Sequence, residues 1–251
     1  MAVVGIIGGS GLEDPKILEF PSDIVMRTPY GDLAAPLRKG TVGAARVLLI
    51  SRHGRQHTIP PTQVNNRANI WALRAAGATH IVATTAAGSL REEIRPGDLA
   101  ILDQFIDFTR HRPVTFYDEF TPGDMKHTPM AEPFSAELRD AIIGTCKDLE
   151  IPCHEQATVI TVEGPRFSTR AESRMFRAWG ADVINMSTAP ECILANEFGL
   201  PYATIAMATD YDCWKEDEEP VTWETVMKTF RANAEKVKGL LMAVIPRIAG
   251  S

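Results

Sequence analysis

The sequence predicts a single α/β domain spanning residues 1–251. Three observations predict it. Short apolar runs of strand length alternate with amphipathic stretches of helical period along the whole chain. Five of the apolar runs open directly into loops rich in glycine, hydroxyl or charged residues. No repeat, linker or low-complexity stretch divides the chain.

Composition narrows the function before any motif is read. A chain of 251 residues that is 45% hydrophobic can bury a substantial core. The formal net charge of −6 argues against a nucleic-acid surface, which needs a basic field. No apolar run reaches membrane-spanning length, and residues 1–9 are too short and uncharged for a signal peptide. Cys146, Cys153, Cys192 and Cys213 show neither CxxC pairing nor zinc-ligand spacing, so they read as reduced thiols in a cytoplasmic protein. His53 and His57 stand four apart, but Gly54 and Pro60-Pro61 oppose the helix a metal pair would need. No metal is expected.

The elements follow in order. Ala2–Ile7 is an apolar strand running into Gly8-Gly9-Ser10-Gly11, where bare backbone and a hydroxyl suit an anion. The spacing fits no GxGxxG register, and a plain βα turn explains the loop equally well. Arg46–Ile50 is a second strand, and Ser51-Arg52-His53-Gly54-Arg55-Gln56-His57 leaves its end. Two arginines there suit bidentate phosphate binding; a basic surface loop is the alternative. Residues 61–76 read as a helix with Ala68, Trp71, Ala72 and Ala75 on one face and Gly77 as its stop. His80–Thr85 is a strand that ends in the small residues Ala86-Ala87-Gly88-Ser89, and Leu99–Phe105 is another. Residues 107–134 lack periodicity, as long functional or interfacial loops do.

Ser135 caps a helix through Glu150, with Leu138, Ile142 and Leu149 turned inward. Ala157–Val162 is a strand leading into Glu163-Gly164-Pro165-Arg166-Phe167-Ser168. Thr169 and Glu172 then form a capping box for a helix ending at Trp179-Gly180. Val183–Met186 is a short strand followed by Ser187-Thr188, and Pro190 suits a first helical position before the stop at Gly199. Residues 202–214 form the centre of the reading: an apolar run that ends in Asp210 and Asp212. If both were strand residues, two apart, they would face the same side. A turn aspartate beside a solvated one is the plain alternative. Glu216–Glu219 reads as a solvated acidic face. The last helix opens at Thr222, with Val221 and Val226 as a hydrophobic staple and Val226, Phe230, Val237, Leu241 and Val244 at helical spacing.

An anion cradle, an aromatic at Phe167 and two carboxylates together suit a nucleoside and a phosphate. No nucleophile elbow or Cys–His pair is visible. Taken together, Gly8–Leu12, Ser51–Thr58, Thr84-Thr85-Ala86, Glu163–Phe167, Asn185-Met186-Ser187 and Ala208–Trp214 resemble the methylthioadenosine-cleaving branch of the trimeric purine nucleoside phosphorylase family, and the likeness runs from about Val4 to Ile245. It implies a mixed β-sheet flanked by helices. It also implies reversible phosphorolysis of 5′-methylthioadenosine to adenine and 5-methylthioribose 1-phosphate, with phosphate as co-substrate and no cofactor.

Position by position, the resemblance implies phosphate binding by Ser10, Arg52, His53, Thr85, Ala86 and Ser187, and Met186 against the ribose. Phe167 packs on the base with Ser168 beside it, and Asp210 and Asp212 reach N7 and the exocyclic amine. His57, Trp223, Val226 and Met227 would wall the nucleoside, and His127 would reach a neighbour's pocket in a homotrimer with intersubunit sites. Trp223 departs from the smaller aliphatic residue usual in the family. A phosphorylase preferring adenosine, a hydrolytic nucleosidase, a nucleotide-binding dehydrogenase and a non-catalytic nucleoside binder are the alternatives.

Overall fold

Runs of valine, isoleucine, leucine, alanine and threonine make the central strands, and almost all of their residues are buried, as expected of parallel strands covered on both faces. The structure, a computed structural model, describes residues 2–9, 12, 13, 16–217 and 222–250, with backbone alone at residues 223 and 225. In chain order the strands are β1 (Val3–Gly8), β2 (Glu19–Ile24), β3 (Leu37–Val42), β4 (Ala45–Ser51), β5 (His80–Ser89), β6 (Leu99–Ile101), β7 (Gln104–Phe108), β8 (Cys153–His154), β9 (Thr158–Val162), β10 (Val183–Asn185) and β11 (Tyr202–Asp210). The helices are α1 (Asn66–Ala75), α2 (Ala136–Asp148), α3 (Arg170–Ala178), α4 (Thr188–Glu197) and α5 (Trp223–Gly250).

Among the described residues all eleven strands join one mixed sheet, ordered β2-β3-β4-β1-β5-β10-β9-β7, with β11 on β5 and β6, and β8 on β6. β5 is its hub. Its first residues pair in parallel with β1, its length pairs in parallel with β11, and Gly88 and Ser89 turn to pair antiparallel with β10. Because β1, β4, β5 and β11 run parallel, their carboxyl ends open on the same side, where open α/β sheets hold ligands.

Helices cover both faces. Ile70 and Leu73 of α1 and Leu194 and Ala195 of α4 pack into one core. Leu138 and Ile142 of α2 and Phe230, Leu241 and Val244 of α5 pack into another. Phe176 of α3 closes a third beside Val162 and Ile184. Among the described residues no helix is long and apolar enough to cross a membrane.

Several boundaries depart from expectation for physical reasons. The small residues Ala86–Ser89 continue β5, because two different neighbours supply backbone partners there. The run 99–105 splits at Leu102-Asp103 into β6 and β7, which pair with different strands. The helix expected from residue 61 begins at Asn66. Asn65 caps it by accepting from the Ala68 amide, and only a 3₁₀ turn, Pro61–Gln63, precedes it. α4 starts at Thr188, which makes Pro190 its third residue rather than its first. Leu149 lies past the end of α2 and is exposed. The capping box of Thr169 and Glu172 is present, as is the Ser135 cap. The staple residue Val221 lies outside the described residues.

Candidate active site

The strand ends gather around one cavity of about 440 Å³, a size suited to a small ligand. At one end, β1 stops at Gly8 and the Arg52 amide donates to the Gly8 carbonyl at 3.0 Å, joining the first two loops. Gly9 donates to the Thr84 hydroxyl at 3.2 Å. A Cβ on Gly9 would fall on the Thr84 carbonyl and the Arg52 guanidinium, so the close approach itself demands glycine. Arg52 is buried, and its Nε and Nη2 grip both carboxylate oxygens of Glu191 while Nη1 donates to the Thr84 carbonyl at 3.0 Å. Burial opposes the guanidinium charge, and the Glu191 carboxylate more than offsets it, raising the Arg52 pKa. Tyr202 donates its hydroxyl to the same glutamate at 2.9 Å.

Hydroxyls complete this end. Thr85 Oγ1 and Ser187 Oγ lie 3.2 Å apart, and Ser187 is the N-cap of α4. Asn185 orders the pair: its Nδ2 reaches Thr188 Oγ1 at 2.6 Å and Thr85 Oγ1 at 3.4 Å, while its Oδ1 accepts from Thr161 at 2.9 Å. His53 lines the cavity beside them, with Nδ1 2.8 Å from the Ile59 carbonyl and its ring 4.4 Å from that of His57. Burial, and then the Arg52 charge, push the His53 pKa down to about 4.

The other end carries the carboxylates. Asp210 is the last residue of β11, while Asp212 opens a 3₁₀ turn at φ 41°, so strand alternation is not what brings them together. The link is a hydrogen bond from the Asp212 amide to Asp210 Oδ1 at 2.9 Å; Thr209 donates to Asp210 Oδ2 at 2.7 Å. Burial dominates both groups. It pushes the Asp210 carboxyl up to about 6 against those hydrogen bonds, and it raises Asp212 as well. Asp212 Oδ2 and Ser168 Oγ are buried without a hydrogen-bond partner among the described residues, and both residues line the cavity. Polar atoms in that condition suit a ligand's donors and acceptors. Phe167, Ile184 and Met186 supply the apolar wall between the two ends.

The Phosphorylase superfamily model matches residues 3–246. S-methyl-5′-thioadenosine phosphorylase of Xenopus tropicalis is 58% identical over 98% of this chain and 89% of its own length. That of Danio rerio is 54% identical over 98% and 88%. The chain belongs to this phosphorylase family. Methylthioadenosine phosphorylase from Schistosoma mansoni in complex with adenine superposes with a TM-score of 0.95 at 41% identity, covering 100% of this chain and 93% of that one. A substituted adenosine/methylthioadenosine phosphorylase from the same organism, in complex with methylthioadenosine, gives 0.93 at 40%, with the same coverages.

The resemblance read from the sequence is therefore a true family relationship. The cavity brings together Arg52, His53, His57, Thr85, Ala86, Phe167, Ser168, Met186, Ser187, Asp210, Asp212 and Val226. Met227 follows Val226 by one residue, about 100° round α5, and stands outside the wall. His127 is exposed, edge-on to Phe120, and does not line its own chain's cavity. Ser10 and the Trp223 side chain lie outside the described residues. The sequence reading gave no role to Glu191 and Tyr202 behind the cradle, or to Asn185, Thr58, Ile59, Pro60 and Pro61, which line the cavity. Asn185 and Thr58 lay within recognised motifs, but nothing local distinguished Glu191.

Proposed function

We propose that this chain catalyses reversible phosphorolysis of 5′-methylthioadenosine, giving adenine and 5-methylthioribose 1-phosphate. One observation carries the reading: a single cavity holds an arginine-and-hydroxyl cradle at one end and a buried carboxyl of raised pKa at the other. Cleaving C1′–N9 leaves positive charge on the ribose and negative charge on the base. Asp210 delivers a proton or a hydrogen bond to N7 as that charge develops, and Asp212 accepts from the exocyclic amine. Phosphate held by Arg52, His53, Thr85, Ala86, Ser187 and Ser10 stabilises the cationic sugar and then bonds to C1′. Met186 lies against the ribose, and Phe167 and Ser168 against the base. Positioning two reactants on opposite faces of one sugar supplies much of the acceleration. Inorganic phosphate is a co-substrate, and the scheme draws on no metal or organic cofactor.

The assembly is a homotrimer with sites between subunits. What supports this is the loop carrying His127, Phe120 and Met125, whose apolar side chains are 46% and 67% exposed away from their own cavity. His127 would then close the neighbour's nucleoside pocket. The four cysteines are free thiols, in keeping with a cytoplasmic protein. Base release from methylthioadenosine with and without phosphate tests the function. Strict dependence on phosphate, with pentose 1-phosphate as product, is expected; equal release of free pentose without phosphate would establish a nucleosidase instead.

A further inference from the structure

His53 offers the cavity only one kind of interaction. Its Nδ1 faces the Ile59 carbonyl at 2.8 Å, and a carbonyl can only accept, so Nδ1 carries a proton. A neutral ring then has a bare lone pair at Nε2. Burial and the adjacent Arg52 charge keep the ring neutral, with its pKa down at about 4. Because Nδ1 is already engaged, what His53 presents to a ligand in the cavity it lines is that acceptor.

The rest of the cradle makes this acceptor decisive. Arg52 and Glu191 are both buried, and their opposite charges cancel, so the cradle has little surplus charge to draw in any dianion indiscriminately. Selection falls to the pattern of donors and acceptors. Arg52 donates, and Thr85 and Ser187 offer hydroxyls.

We propose that His53 reads a proton on the anion. On this reading, which rests on the phosphorolytic function above, the cradle takes tetrahedral oxyanions that retain one proton, hydrogen phosphate or hydrogen arsenate. It discriminates against those that have none at neutral pH, sulfate and monofluorophosphate. A P–O–H group donates to His53 Nε2. A bare oxygen in the same place sets lone pair against lone pair in a buried site, with both hydrogen bonds unmade. The arrangement also orients the nucleophile: the protonated oxygen is held at His53, and unprotonated oxygens are left to bond to C1′.

The test is competition at neutral pH in the full-length enzyme. Sulfate and monofluorophosphate should inhibit with constants at least about tenfold above the phosphate KM, the scale of one unmade buried hydrogen bond. Arsenate should bind like phosphate. In His53→Gln, whose amide can donate, and in His53→Ala, where water takes either role, the sulfate-to-phosphate ratio should collapse toward one. Nitrogen-15 NMR of the wild-type histidines with inorganic phosphate bound should show His53 protonated at Nδ1 and bare at Nε2, a readout independent of how the variants fold. Sulfate competing on equal terms with phosphate, or a protonated Nε2 with phosphate bound, would overturn the proposal while leaving phosphorolysis intact. Base release indifferent to phosphate would instead remove the phosphorolytic reading, a result that competition data cannot imitate.

Discussion

Glu191 engages the Arg52 guanidinium with both carboxylate oxygens, and Tyr202 donates to the same carboxylate at 2.9 Å. A guanidinium has five N–H donors. Glu191 and the Thr84 carbonyl take three of them, which leaves one on each terminal nitrogen of Arg52 for a ligand. The glutamate fixes the fork, and the tyrosine fixes the glutamate.

Glu191→Gln should therefore raise the phosphate KM far more than the nucleoside KM. Removing one partner of a buried ion pair costs about 3–5 kcal/mol, so the melting temperature should fall as well. Tyr202→Phe deletes a single hydrogen bond to a charged group, worth about 1.5–3 kcal/mol, and should shift the phosphate KM in the same direction by less. Steady-state kinetics with each substrate varied separately decide it. A uniform loss of kcat with both KM values unchanged would show that Glu191 acts on stability alone.

Asp210 trades stability for chemistry. Its carboxyl is pushed up to about 6 in the folded protein, above the unfolded value, so the group favours folding at low pH and the advantage is lost as pH rises through about 6. A shift of about two units corresponds to about 3 kcal/mol of destabilisation at pH 7 and above. Asp210→Asn should melt at a higher temperature than wild type at pH 8, with the difference shrinking toward pH 4. Its activity on 6-aminopurine nucleosides should fall roughly 10²–10⁴-fold. The wild-type profile of kcat/KM should bend near the Asp210 pKa and the bend should vanish in the variant. Unchanged kinetics would make Asp210 only a turn residue.

Arg52, His53, Thr85, Phe167, Ser187 and Asp210 were legible because each lies at or just after the end of a buried apolar run, a position where polar or aromatic side chains have little structural reason to gather. Those behind it were not. Glu191 lies in the first turn of α4, where the helix dipole already accounts for an acidic residue. Tyr202 reads as strand core, and only the fold shows its hydroxyl reaching Glu191. β2 escaped notice for a related reason: Glu19–Ile24 is exposed along most of its length and has no apolar alternation, so pairing with β3 alone defines it. Asp210 and Asp212 were correctly linked on an argument that fails, since a left-handed turn rather than strand alternation brings them together.

Gly164 ties backbone conformation to the ribose wall. Its φ is 65°, and a Cβ there would fall on the Met186 sulfur. Gly164→Ala should cost about 1–2 kcal/mol from the left-handed backbone alone. It should also displace Met186 and so raise the nucleoside KM several-fold while sparing the phosphate KM. Differential scanning calorimetry and separate KM measurements check both parts; an unaltered nucleoside KM would show that Met186 does not contact the sugar.

The 5′ end of the nucleoside follows by elimination. With the base at Asp210 and the anion at Arg52, the wall left includes Thr58, Ile59, Pro60, Pro61 and Val226, beside His57. Ile59, both prolines and Val226 offer no side-chain partner to a hydroxyl, and an unpaired buried hydroxyl costs about 1–3 kcal/mol. A methylthio group pays no such cost there, so kcat/KM for methylthioadenosine should exceed that for adenosine by at least about tenfold. Val226→Ser places a hydroxyl at the start of α5 and should narrow the ratio, mainly by improving adenosine. Parallel kinetics on the two nucleosides decide the main point, and equal specificity constants in the wild type would mean that the 5′ group does not reach this wall.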